Sequence, residues 1–171
     1  MDASEGEELN PYTPPGIVPR VKENVPGVQL ASRWMAGIGS GIILVEKEGN
    51  EPLTFRENEM AFVDHDFLSM FELPVLNGSP DLNRRNTIVL TESMALKYFQ
   101  TTEVTDRTVT LINQFGEHPF QITGVIEDFP ANSNLHPTIL GSMSTFESAD
   151  YLGHNTWLDI NTLNSNFVHT Y

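Results

Sequence analysis

The stretch Thr87–Phe99, TIVLTESMALKYF, predicts the element around which the rest of the fold is arranged. Its first residues, Thr87–Leu90, form a β-branched apolar run that is typical of a buried strand. Thr91 then supplies a hydroxyl suited to cap a helix, and Glu92 places negative charge in the first helical turn. The apolar residues that follow share one helical face: Met94, Ala95, Tyr98 and Phe99. The stretch therefore predicts a strand and a helix that packs on a sheet.

The two faces of this helix lead to different expectations. Phe99 is predicted to be a core anchor, whose replacement by alanine would cost about 3–5 kcal/mol. Ser93 and Lys97 fall on the opposite face and are predicted to meet solvent. Lys97→Ala is therefore expected to change stability by less than about 0.5 kcal/mol.

The composition excludes several classes of function. A chain of 171 residues suits one domain, or one domain with two lobes. Its 23 acidic residues against 9 Lys plus Arg give a net charge of −14, which would repel a nucleic-acid backbone or an anionic lipid surface. The sequence has no cysteine, so disulfides and thiol chemistry are excluded. It also lacks any run of about 20 apolar residues, the length that spans a bilayer.

Residue patterns elsewhere predict short helices and strands in alternation. Helices are predicted over Ile17–Val25, His65–Phe71 and Phe146–Leu152. Strands are predicted over Val28–Ala36, 41–46, 51–63, Arg107–Ile112, Pro119–Glu127, Thr138–Met143 and Asn164–Tyr171, with hairpin turns at 47–50 and 113–117. The result is an α+β fold of mixed sheets with several hairpins and short helices. Because the last strand stops at Tyr171, the natural chain is predicted to continue.

The glycines of Gly37–Gly41 invite comparison with a phosphate-binding loop. Such a loop should lead directly into a helix whose N-terminus meets the anion. Here the loop leads into Ile42-Ile43-Leu44-Val45, which has the pattern of a strand. A flexible connection between two strands is therefore the favoured interpretation.

Two acidic clusters could in principle carry chemistry. Asp64-His65-Asp66 consists of metal-ligand residue types, but three consecutive residues at a helix start cannot all converge on one ion. We expect Asp64 to cap the helix and the other two side chains to be solvated. Glu127-Asp128 ends a strand, where adjacent side chains point to opposite faces and cannot work as an acid–base pair.

The remaining polar residues form no catalytic pattern either. His118, His136, His154 and His169 lack the H-x-x-x-H spacing of a helical zinc site. Ser142 and Ser144 lack the glycine frame of a nucleophile elbow, and 132–134 has the polarity of an ordinary loop. The sequence predicts no catalytic, cofactor-binding or metal site.

The large apolar residues are assigned to the core. This holds for the periodic aromatic residues, which are Phe55, Phe62, Phe67, Phe71, Tyr98, Phe99 and Phe120. Four further residues could line a groove for a partner, although core is favoured: Trp34, Met35, Met70 and Met143.

Four stretches, in the same order, resemble the MacB-like periplasmic core domain of FtsX-type ABC transporter permeases. The central match is NTIVLTESMA followed by KYF, over residues 86–99. The others are FVDHDFLSMF (62–71), ITGVIEDFPANS (122–133) and the opening Pro14-Pro15 with VPGV at 25–28. Together they span about residues 13–145.

The resemblance implies an architecture and a function. It implies a porter-like lobe, over about 13–75 and 138–171, interrupted by a smaller inserted lobe at about 76–137, after a disordered or artificially added lead at 1–12. The domain would lie on the periplasmic side of the bacterial inner membrane, between two transmembrane helices of a permease. Its partners would be those helices, a second permease subunit and a cytoplasmic ATPase. The domain would transmit movement to the export or release of substrate, with no enzymatic activity and no cofactor.

Two other classes of function remain open at this level. One is a secreted or periplasmic domain that captures a peptide or lipid in a cleft. The other is a hydrolase whose site is assembled from distant residues. In the permease interpretation the isolated domain is expected to be a monomer or a weak dimer, because an acidic surface repels its own copy.

Overall fold

A computed structural model describes residues 12–47, 49, 51–155 and 157–171. Residues 1–11 of the predicted lead, and Glu48 and Asn50 of the predicted turn, lie outside the described residues. The strands are β1 (Arg33–Ala36), β2 (Gly41–Val45), β3 (Leu53–Glu57), β4 (Met60–Val63), β5 (Val75–Gly78), β6 (Thr87–Thr91), β7 (Thr108–Asn113), β8 (Gly116–Ile126), β9 (Ile139–Ser142) and β10 (His169–Thr170). The helices are α1 (Ile17–Asn24), α2 (Asp66–Phe71), α3 (Glu92–Phe99), α4 (Ala149–Leu152) and a 3-10 helix at Met143–Glu147.

The ten strands form one mixed sheet. Nine of them follow the order β10-β1-β4-β9-β6-β8-β7-β2-β3, and β5 pairs with β8 beside this path. The pairs β4–β9 and β6–β8 are parallel, and the other pairs are antiparallel. The fold is therefore α+β with a mixed sheet, hairpins and short helices, as the sequence predicts.

The strand and helix at Thr87–Phe99 lie at the centre of this sheet. β6 pairs with β9 on one side and β8 on the other, and all five of its residues are buried. A strand covered on both faces needs no polar alternation, which explains its continuous apolar run. Helix α3 follows immediately and buries Met94, Ala95 and Tyr98. Both predicted elements are confirmed, whereas Phe99 is only partly buried.

The strand predicted over 51–63 is in fact two strands in different parts of the sheet. β3 pairs with β2 as the predicted hairpin, while β4 pairs with β1 and β9. The residues of β3 alternate in exposure, as expected of a strand with one face toward solvent, whereas those of β4 are all buried. The change from an alternating to a continuous apolar pattern marks the break at 58–59.

The alternation predicted for β8 is wrong in part, because the pairing of this strand contains an irregularity. Phe120, Ile122 and Ile126 were expected on one face. The pairing with β6 shifts between Ile88 and Val89, which face Ile122 and Gly124 respectively. Such a β-bulge inserts one residue and reverses the faces beyond it. Phe120 and Ile122 consequently join one core and Ile126 the other.

The two faces of the sheet carry cores of unequal size. The major core lies under α3, the 3-10 helix and α4, and contains Phe62, Phe120 and Phe146. The minor core contains Trp34, Phe67 and six other buried residues, covered by α2 and partly buried loop side chains. The face of the minor core is therefore the more thinly covered one.

The incoming and outgoing segments of the domain lie side by side. Thr13 forms an isolated antiparallel bridge with Val168. The amide of Thr13 donates to the carbonyl of Val168 at 2.7 Å, and the Thr13 and Thr170 hydroxyls are 2.5 Å apart. The chain thus enters and leaves the sheet at the same place, beside β1 and β10.

Candidate functional site

A groove of about 500 Å³ lies at one border of the minor core and is here called the Trp34 groove. Strands β1 and β4 provide its floor, and the loop at 134–137 forms one wall. Its lining combines apolar and polar side chains, with Trp34, Met60, Leu135, His136, His169 and Tyr171 among them. An apolar floor with polar groups at the rim is typical of binding sites for ligands or partner side chains.

A second, smaller cavity of about 170 Å³ lies beside helix α2. Phe67, Phe71 and Val75 line it, and Val75 is 52% exposed. The ring of Phe71 meets that of Tyr171, which lines the Trp34 groove, at a centroid distance of 6.2 Å. These two aromatic side chains place apolar surface between the two concavities. Phe71 was predicted as core and is instead 37% exposed.

The other predicted core residues are placed as follows. Phe62, Phe67, Phe120 and Tyr98 are buried, while Phe55 and Phe99 are partly buried. Of the four alternative groove residues, Trp34, Met35 and Met143 are buried, and Met70 is partly buried. Trp34 nevertheless contributes to the groove that carries its name, so both interpretations hold for it.

The Asp64-His65-Asp66 cluster is an ion-pair and hydrogen-bond centre, and the predicted cap at Asp64 is wrong. No side chain caps helix α2 at its first residue. Asp64 instead accepts two hydrogen bonds from the guanidinium of Arg33, at 2.6 and 2.8 Å, and one from the Arg33 amide at 2.8 Å. Arg33 also donates to the carbonyl of Ile160. This bidentate geometry joins β1 to the end of β4.

The other two members of the cluster also have partners, contrary to the expectation that they are solvated. Asp66 accepts hydrogen bonds from Lys22 at 2.5 Å and from the amide of Ala31. Partial desolvation acts to raise the pKa of Asp66, but these hydrogen bonds lower it by more, so the pKa lies below its ordinary value. His65 Nδ1 accepts from the amide of Leu82 and lies 3.7 Å from Asp81. The three residues thus fasten α1, β1 and the loop at 81–82 to α2.

Asp128 has a role that the sequence does not reveal. Its Oδ1 accepts from the amide of Ser93 at 3.2 Å and from the Ser93 hydroxyl at 2.8 Å. Asp128 therefore caps α3 from a loop 35 residues further along the chain. Thr91, the predicted cap, makes no capping bond, and its hydroxyl donates to the carbonyl of Thr138. No local pattern could have shown this, because the cap comes from a distant strand end.

Replacing Asp128 by alanine is expected to lower the free energy of unfolding by about 1 kcal/mol, within the range of about 0.5–2 kcal/mol for lost N-caps. A urea titration measures this difference. The matched control is Glu127→Ala, because Glu127 is the exposed carboxylate next to Asp128 and has no such bond. Equal midpoints for the two variants would contradict the capping role.

The remaining residues considered from sequence have structural surroundings. The glycine loop joins β1 to β2, as predicted, and a Cβ at Gly39 would lie 2.6 Å from the ring of Phe62. The buried Ser142 hydroxyl donates to the carbonyl of Leu82. His118 contacts the carbonyl of Phe115, His154 is exposed, and His136 and His169 line the Trp34 groove. Among the described residues, no cluster of three metal-ligating side chains occurs.

Helices long and apolar enough to cross a membrane do not occur within the described part of the chain. The longest helices there, α1 and α3, each have eight residues. A bilayer span needs about 20.

Solved structures with the same fold include three bacterial transporter domains. A domain assigned to a permease protein from Porphyromonas gingivalis superposes with a TM-score of 0.67 at 24% identity, over 94% of this chain and 61% of that one. The periplasmic region of MacB from Actinobacillus actinomycetemcomitans superposes with a TM-score of 0.55 at 18% identity, over 74% of this chain and 53% of that one. The extracellular domain of the noncanonic ABC-type transporter YknZ from Gram-positive bacteria superposes with a TM-score of 0.53 at 16% identity, over 99% of this chain and 78% of that one. The chain thus spans less than two thirds of the first two.

Sequence comparison gives a consistent result. No curated protein sequence matches the chain significantly. The family model for the MacB-like periplasmic core domain matches residues 3–165, which is nearly the whole chain. The match includes β6, α3 and the loop that carries Asp128. The chain belongs to the family of MacB-like periplasmic core domains of ABC transporter permeases.

Proposed function

We propose that this domain transmits ATPase-driven conformational change in a permease subunit to the export or release of a substrate, without chemistry of its own. It lies between two transmembrane helices of the permease, on the periplasmic side of the inner membrane. Its partners are those helices, a second permease subunit and a cytoplasmic ATPase. The family supports this assignment, because its members are periplasmic parts of ABC transporter permeases.

The observation that carries the proposal is the bridge between Thr13 and Val168. A domain inserted between two neighbouring membrane helices must receive and return the chain at one place. The hydrogen bonds between these two segments, together with those between Ser32 and Tyr171, hold them together beside β1 and β10. Movement of the two helices would therefore act on the domain through one edge of its sheet.

The continuous sheet supports a mechanical role. Strand pairing runs without a break from β10 to β3, so a displacement applied at the β10 edge is carried through hydrogen-bonded strands. Packed elements of this kind move as units because close-packed cores resist deformation. We expect the domain to move as a rigid body.

We further propose the lobe division of the sequence analysis, with residues 76–137 inserted into a porter-like lobe. β8 pairs with β5, β6 and β7, so the inserted segment has strand pairs of its own. β2 and β3, from the first segment of the chain, extend the same sheet beyond β7.

Spin labels in the full-length permease, reconstituted with its ATPase, test the proposal. Thr54→Cys in the exposed edge strand β3 provides a unique label site in this domain, because the domain has no cysteine. The distance between the labels of the two permease subunits is expected to change between the nucleotide-free and the vanadate-trapped state. The internal pair Thr54→Cys with Glu117→Cys should keep its distance. An unchanged distance between subunits would contradict the proposal.

A further inference from the structure

A cavity of about 240 Å³ lies at the C-terminal end of α3, between β2, β3 and the start of β7. We call it the α3 cavity. Its walls contain four apolar or aromatic side chains, which are Val45, Leu53, Tyr98 and Phe99. It lies on the side of the major core, away from the Trp34 groove and the segments near Thr13 and Val168.

The charged side chains that line the α3 cavity are mainly basic, whereas the protein as a whole is acidic. Lys47, Lys97 and Arg107 line the cavity, against one acidic residue, Glu46. These are three of the chain's nine basic residues, and among the described residues that line the cavity Glu46 is the one that is acidic. The local positive charge therefore stands out against a net charge of −14.

Two of the three cations are available to a ligand. Lys97 forms an ion pair with Glu57 at 2.6 Å. Lys47 and Arg107 have no ion-pair partner among the residues that the structure describes. The guanidinium of Arg107 lies over the ring of Phe99, 5.1 Å from its centroid. Arg107 thus combines a donor for an anion with an apolar surface directly below it.

We propose that the α3 cavity binds a small anionic amphiphile with a carboxylate or phosphate head and a short apolar chain. The head group binds Arg107 and Lys47, and the apolar chain lies on Val45, Leu53 and Phe99. The volume is below the 300–1,000 Å³ that is usual for drug-sized ligands, so the cavity suits a single short chain. The binding site is separate from the mechanical role proposed above, and neither depends on the other.

Isothermal titration of the purified domain with octanoate, below its micelle concentration, tests the proposal. The expected result is saturable binding of one octanoate per chain. The neutral analogue 1-octanol should bind at least tenfold more weakly, because it retains the apolar chain and lacks the charge. Arg107→Gln is expected to weaken octanoate binding at least tenfold, and to leave the weak binding of 1-octanol unchanged.

The matched control is Arg56→Gln, which removes an exposed charge of β3 that does not line the cavity. It should bind octanoate as the unaltered domain does. Absence of saturable octanoate binding, equal affinity for octanol, or equal effects of the two variants would overturn the proposal. Vesicles of phosphatidylglycerol separate a membrane head group from a free amphiphile. Stronger binding to vesicles than to octanoate, abolished by Arg107→Gln, would likewise overturn the assignment to a single ligand in the cavity.

Discussion

Replacing Asp64 by alanine is expected to lower the free energy of unfolding by about 3–5 kcal/mol, the usual cost of removing one partner of a buried ion pair. The guanidinium of Arg33 is held among β1, β4 and the carbonyl of Ile160, and its side chain is only 7% exposed. Without Asp64, this charge and the Arg33 amide lose three hydrogen bonds. The remaining buried cation has no compensating carboxylate, and this causes most of the loss.

Two controls separate this effect from the general removal of a carboxylate. Glu147→Ala breaks the ion pair between Glu147 and Arg85, in which the Arg85 side chain is 54% exposed and the Glu147 side chain 43% exposed. Because the pair is exposed, this variant should lower the free energy of unfolding by at most about 1 kcal/mol. The double variant Arg33→Met with Asp64→Asn removes the buried charge and keeps an acceptor for the backbone amide. It should be more stable than Asp64→Ala. A urea midpoint for Asp64→Ala equal to that of Glu147→Ala would contradict the prediction.

Local periodicity was sufficient to predict the elements whose environment is uniform along their length. β6 has buried neighbours on both faces, and α3 has one buried face, so each leaves a simple pattern in the sequence. The order of the strands could not be predicted in this way. β4 is covalently next to β3 but pairs with β1 and β9, and this choice depends on contacts distant in sequence. The bulge in β8 likewise depends on how β6 and β8 align.

The polar residues show the same distinction. The sequence indicates that Asp64 begins a helix, and a local cap is the most common role for such an aspartate. The structure gives it a stronger partner, Arg33, 31 residues earlier in the chain. The cap of α3 likewise comes from a distant part of the chain: Asp128 accepts from the amide of Ser93, while the Thr91 hydroxyl donates to the carbonyl of Thr138. The Trp34 groove and the α3 cavity are also formed by residues from separate segments, so no local sequence motif predicts them.

Tyr98→Ala is expected to cost about 3–5 kcal/mol, which the sequence had led us to expect for Phe99. Tyr98 is 4% exposed and belongs to the major core, where its ring lies 4.8 Å from that of Phe55. Phe99 is only partly buried, so Phe99→Ala should cost less, about 1–3 kcal/mol. Burial raises the pKa of the Tyr98 phenol, and the neighbouring Glu57 carboxylate raises it further. Tyr98 therefore enters the core as a neutral group.

The expectation for Lys97 also changes, because its amino group lies 2.6 Å from Glu57, whose side chain is 8% exposed. Lys97→Ala leaves that carboxylate without its cation. Since the lysine itself is 44% exposed and solvent screens the pair, we expect a cost of about 1–2 kcal/mol. Leu96→Ala, on the exposed face of the same helix, is the control and should stay within about 0.5 kcal/mol. In urea titrations the midpoint should be highest for Leu96→Ala, lower for Lys97→Ala and lowest for Tyr98→Ala. A Tyr98→Ala midpoint equal to that of Leu96→Ala would show that α3 does not anchor the major core.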